Sequence, residues 1–105
     1  MARIELAVEV GEDFERILAH LQSHEAAHAA ARLYEVIAAV DVLQTNPLIG
    51  RPASNDKRAL EIGRGAHGYV ALYRYVVEVD TVFVLTVRAQ REAGLVRASS
   101  GLLSN

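Results

Sequence analysis

An α+β fold is predicted for this 105-residue chain: an N-terminal strand, a two-helix hairpin, then antiparallel strands forming one sheet with the helices on one face. Three observations predict it. Apolar residues alternate over 3–9, recur at helical spacing over 12–45, and alternate again over 69–89 on both sides of a short turn. The length suits one domain. A composition of 51% hydrophobic against 23% charged residues is that of a globular protein.

Residues 3–9, RIELAVE, set Ile4, Leu6 and Val8 on one face of a short strand, and Gly11 is expected to break the pattern. Phe14, Ile17, Leu18 and Leu21 then fall at i, i+3, i+4 and i+7, which predicts a helix over about 12–23 with Glu12 and Asp13 suited to its N-terminal dipole. Leu33, Val36, Ile37, Val40 and Leu43 continue a helical stripe in an alanine-rich segment, until Asn46-Pro47 stops a second helix over about 26–45. Helices joined so closely turn back on each other and need a sheet beneath their shared stripe.

The run NPLIGRPASNDK, 46–57, holds both prolines with Gly50, Ser54, Asn55 and Asp56 and reads as a loop, in which Leu48 and Ile49 are expected to pin the chain to the core. ALEI, 59–62, is a short strand, and GRGAHG, 63–68, a glycine-rich turn that lacks the lysine of a phosphate-cradling loop. Strands over 69–77 and 81–89 flank Glu78-Val79-Asp80. Pairing Val77 with Thr81 sets Tyr75 against Phe83, Tyr73 against Leu85 and Ala71 against Val87 on the core side. The other face then collects Val70, Leu72, Arg74, Val84, Thr86 and Arg88.

Charge is divided along the chain. Residues 1–50 hold three arginines and eight acids, a balance of −5, whereas 51–105 hold eight basic and five acidic residues, a balance of +3. A basic half on a mildly acidic protein points to a local anionic target or an acidic partner. No apolar run is long enough to cross a bilayer, and residues 1–20 carry five acids where a signal peptide is basic, so a cytoplasmic protein is expected. Zero cysteines exclude disulfides, thiolate metal sites and cysteine nucleophiles.

Either of Arg74 and Arg88 alone reads as a solvated surface arginine; together, among Val70, Leu72 and Val84, they mark a basic face with apolar patches that expects to be covered. Lys57, Arg58, Arg64 and Arg91 lie in or beside elements that border it. His20, His24 and His28 are spaced four apart, but Ser23 and His24 fall at the expected helix–helix turn, so no metal and no cofactor are assigned. His67 reads equally as an acid–base group and as an exposed loop histidine. Tyr69, Tyr73 and Tyr75 share the core parity, and no triad, paired-carboxylate motif or nucleotide fingerprint is present.

The order of these segments, with NPLIGRP at 46–52, Arg58 at a strand entry, the Tyr73-Arg74 pair and VRAQREAG at 87–94, resembles the RelE/ParE toxin superfamily of bacterial type II toxin–antitoxin systems, in its ParE-like, plasmid-stabilisation branch. The resemblance covers roughly 3–94, implying a single toxin domain over 1–94 and a C-terminal tail over 95–105. It implies a helical hairpin packed on an antiparallel sheet, a cognate antitoxin of ribbon-helix-helix type, and growth arrest through binding of DNA gyrase. Target contact is then expected from Arg58, Arg64, Arg74, Arg88 and Arg91. The alternatives are a RelE-like ribosome-dependent mRNA endonuclease, drawing on Lys57, Arg58, His67, Arg74 and Arg88, and an inactive antitoxin-binding module. The endonuclease needs proton donors, and in the basic half only Lys57 and His67 offer them. Leu95 stands where members usually carry an aromatic residue.

Overall fold

The computed structural model of the chain describes residues 1–63 and 68–90. Strand β1, Arg3–Leu6, leads into helix α1, Val8–His24, and a 3₁₀ turn at Ala26–His28 joins it to α2, Ala29–Asp41. A second 3₁₀ turn, Val42–Gln44, ends the hairpin. Strands β2, Arg51–Pro52, β3, Arg58–Ile62, β4, Tyr69–Val76, and β5, Thr81–Ala89, follow. The sheet runs β1-β5-β4-β3-β2, with β1 parallel to β5 and the other neighbours antiparallel. Connecting the parallel pair needs a crossover, and the helical hairpin begins it.

The first strand is shorter than its alternation suggests, and the first helix longer. The Ala7 N–H donates to Val84 O at 2.9 Å, closing the β1 pairing, and α1 begins at once. Gly11, expected to separate the strand from the helix, therefore lies within the helix. The reason is Val10, which is fully buried: only a helix already running at residue 8 carries it beneath the sheet with Ile17 and Leu21. The same early start moves Asp13 out of the first turn and into the protein. From α2, Val36 and Val40 complete the hairpin's apolar face. Each fully buried valine or leucine contributes about 1.5–3 kcal/mol relative to exposure.

The β4–β5 hairpin differs from expectation in two places that compensate. Its turn takes in Val77, so Val76 and not Val77 sits opposite Thr81, and Asp80 closes the turn in the left-handed region at φ 46°. Tyr75 thus meets Val82, Arg74 meets Phe83 and Tyr73 meets Val84. A bulge then lets two residues of β5 pass where β4 advances one: Leu72 pairs with Thr86, Leu85 is the extra residue, and Ala71 meets Val87 as the sequence predicts. Val82, Val84 and Val87 face the helices, while Phe83 lies on the other side and is 37% exposed. The expected core places of Phe83 and Leu85 and the expected outer place of Val84 are thereby corrected. Tyr69 and Tyr73 are buried on the helix side as their parity predicts.

Candidate target-binding face

The helices cover one side of the sheet. On the other, cross-strand register aligns Val70 with Arg88, Leu72 with Thr86 and Arg74 with Phe83, so both arginines emerge from the same face around an apolar centre. Val70, opposite Arg88, lies four positions from Arg74 along β4, an offset of about 13 Å in the strand direction. The Arg74 guanidinium donates to Asn55 O at 3.2 Å. That carbonyl is presented by a turn in which Asn55 and Asp56 both take positive φ, 57° and 61°, a conformation their short polar side chains tolerate. Arg88 is exposed, and its side chain has no ion-pair or hydrogen-bond partner among the described residues. Towards β2, Arg51 and Glu61 form an ion pair of 2.9 Å on this side, and Gln90 reaches Glu61 at 3.4 Å.

Arg58 lies elsewhere. It is paired with Tyr73 and so belongs to the helix side of the sheet, where its guanidinium donates to Gly50 O at 2.8 Å and Leu48 O at 3.2 Å. The Tyr73 hydroxyl accepts the Gly50 N–H at 2.8 Å. Burial raises the Tyr73 pKa above the ordinary 10.0, with the Gly50 N–H and the Arg58 charge partly opposing it. The backbone of the NPLIG loop is thus fastened to the sheet by polar contacts. Its side chains are not: Leu48 and Ile49 are 58% and 56% exposed and do not pin the loop, contrary to expectation.

Lys57 precedes β3 in the turn, its N–H donating to Ser54 O and its O accepting from Ala53 N–H. Arg64, His67, Arg91, Leu95 and the tail lie outside the described residues. His20 and His24 do share a helix, contrary to the expected turn there, with rings stacked at 4.2 Å and His24 Nδ1 2.9 Å from His20 O. Among the described residues no group of three or more potential metal-binding side chains converges.

The sequence marks Asp13 only as a helix-terminal acid, yet it is 4% exposed and bonded across the fold. Its Oδ2 accepts the Val87 N–H at 3.0 Å and its Oδ1 accepts Arg16 at 3.0 Å. A single acid near a helix start carries no signal for such a contact, which joins residues 74 positions apart.

A helical hairpin on one side of a five-stranded mixed sheet that begins with the N-terminal strand matches the fold of the ParE and RelE toxins of type II toxin–antitoxin systems. The chain is similar in fold to a chromosomal ParDE system from P. aeruginosa, with TM-score 0.72 and 20% identity over 85% of this chain and 96% of that one. It is similar also to the E. coli RelBE toxin–antitoxin complex, with TM-score 0.61 and 12% identity over 85% and 96%, and to RelBE2 of Mycobacterium tuberculosis, with TM-score 0.59 and 20% identity over 85% and 98%. No curated protein sequence matches it. Residues 4–94 match the family described as ParE toxin of type II toxin-antitoxin system, parDE, and the chain belongs to that family.

Proposed function

We propose that the chain arrests growth by binding DNA gyrase through the uncovered sheet face, as a protein-binding inhibitor and not an enzyme, and that a cognate ribbon-helix-helix antitoxin holds it silent in the cytoplasm. The observation that carries this reading is the division of the basic residues between the two sides of the sheet. Arg74 and Arg88 flank an apolar strip on the outer face, whereas Arg58 is engaged on the other side by Leu48 O and Gly50 O. A binding surface needs only the first pair. An mRNA endonuclease needs a convergent phosphate-binding cluster with a proton donor in reach, and Arg58 is turned away from it.

The antitoxin reading is supported by apolar surface at the edge of the sheet. Leu6 and Ile37 are exposed in an open groove that Ile4, Phe14 and Val40 also line. Docking of an apolar segment there would raise the toxin's stability by mass action. The deciding experiment adds purified toxin to a gyrase supercoiling assay and, in parallel, to ribosomes translating a defined message. Loss of supercoiling with intact message is expected. Codon-phased cleavage with untouched supercoiling would establish the endonuclease instead, and inactivity in both assays would leave an antitoxin-binding module.

A further inference from the structure

The inner valines of β5 are Val82, Val84 and Val87, a step of two followed by a step of three. Uninterrupted alternation after Val84 would have put Thr86 and Arg88 on the helix side. Leu85, the extra residue of the bulge, reverses the phase, so Val87 enters the core and Arg88 emerges beside Val70 on the outer face. The bulge is therefore what brings the two arginines onto one surface.

The bulge falls where β5 loses a neighbour. Strand β1 accompanies β5 only as far as Val84, opposite Leu6. Further along, Gln90 donates to Gly68 O, and the alternation of an antiparallel ladder then assigns the N–H groups of Arg88 and Thr86 to β4 and turns that of Val87 away. This buried N–H has no strand to receive it. The Asp13 carboxylate of α1 takes the place of the missing strand, with one oxygen on Val87 N–H and the other on the Arg16 guanidinium, each at 3.0 Å. A carboxylate suits the position because it accepts at both oxygens and donates at neither.

We infer that Asp13 is a positioning residue: its contact with the Val87 N–H holds the end of β5 in the shifted phase that delivers Arg88 to the outer face. The functional weight given to Arg88 rests on the gyrase reading above; its placement does not. Removing the acceptor leaves a buried donor unpaired, and the way to solvate it is to release the last residues of β5 from the core.

The chain has no cysteine, so single thiols report on each position separately. Val87→Cys, Arg88→Cys and, as a control in α2, Val36→Cys would be labelled under native conditions with a soluble maleimide, alone and combined with Asp13→Ala, Asp13→Asn or Arg16→Ala. In the parent background the thiols at 36 and 87 are expected to be protected and that at 88 reactive. Asp13→Ala should accelerate labelling at 87 at least about tenfold while 36 stays protected, a local opening and not a global one. Asp13→Asn keeps an oxygen for the Val87 N–H, and Arg16→Ala keeps the carboxylate, so both should preserve the parent pattern.

Continued protection of 87 in Asp13→Ala would overturn the inference. So would labelling of 36 and 87 together, which would make Asp13 a general stabiliser, and so would an Arg16→Ala pattern equal to that of Asp13→Ala. In the gyrase assay Asp13→Ala should lose inhibition as Arg88→Ala does, with Asp13→Asn restoring it. The expected thiol pattern with undiminished gyrase inhibition would uphold the positioning role and overturn the functional reading of Arg88.

Discussion

The Tyr73 hydroxyl accepts the Gly50 N–H across 2.8 Å, tying the centre of β4 to a loop residue 23 positions earlier. Arg58 closes the same junction by donating to Gly50 O. Tyr73 is fully buried, so this phenol is both a core side chain and the acceptor that the loop backbone requires. The loop is held by its backbone while Leu48 and Ile49 project into solvent.

Tyr73→Phe should separate these two roles. The ring remains, but the Gly50 N–H loses its acceptor, and the expected cost is about 1–3 kcal/mol. Tyr73→Ala also empties a core site and should cost about 3–5 kcal/mol. Urea unfolding of both variants beside the parent measures the difference; equal losses would mean that the ring contributes nothing beyond its hydroxyl.

The hydroxyl also sets an alkaline limit. Burial raises the Tyr73 pKa in the folded state above the 10.0 of the unfolded chain, so the phenol's contribution is complete below pH 10 and is lost as pH rises through the folded value. The Tyr75 pKa is raised as well, through its 2.6 Å hydrogen bond to Asp80. Stability measured from about pH 8 to about pH 11 should fall less steeply in Tyr73→Phe than in the parent, and Tyr75→Phe as a common background removes the second phenol.

Two glycines should respond to alanine with opposite signs. A Cβ at Gly50 would lie 2.7 Å from both Cε1 and OH of Tyr73 and 3.1 Å from Ala59 O, so Gly50→Ala must displace the loop, at about 1–3 kcal/mol. A Cβ at Gly11 would meet nothing within 4 Å on a helix interior, and Gly11→Ala should stabilise by about 0.5–1 kcal/mol. Thermal melting of the pair checks both. A destabilised Gly11→Ala would contradict a helix running through that residue.

What the sequence revealed and what it hid follow from range. The stripe Ile17–Leu21 and the stripe Val36–Val40 report each helix directly, because the period is local and the apolar face must be buried. Strand parity assigns Arg74 and Arg88 to one side, but for Arg88 the assignment holds only because two departures from the expected pairing cancel. Yet the hairpin register came out one residue off at Val76, and only the unforeseen bulge at Leu85 restored the pairing of Ala71 with Val87. Bulges leave no periodic trace in a short apolar strand. Arg58 illustrates a second limit: a basic residue beside a basic face reads as part of it, whereas its register opposite Tyr73 sets it on the helix side, where the backbone carbonyls of Leu48 and Gly50, invisible to residue type, hold it. Asp13 and Val87 meet only through the completed fold.

The three arginines now carry a discriminating test. The Arg74 side chain donates to one exposed carbonyl and that of Arg88 has no partner among the described residues, so Arg74→Ala and Arg88→Ala should each change stability by no more than about 0.5 kcal/mol. Arg58→Ala instead strips Gly50 O and Leu48 O of a charged donor and should cost about 1–3 kcal/mol. Gyrase inhibition and growth arrest should fall in the two outer-face variants at unchanged melting temperature. In Arg58→Ala any loss of activity should track the loss of fold, and raising stability with Gly11→Ala should recover part of it. Undiminished growth arrest in both outer-face variants would remove the sheet face from the proposed function, and loss in Arg58→Ala without a change in melting would return Arg58 to the set of target contacts.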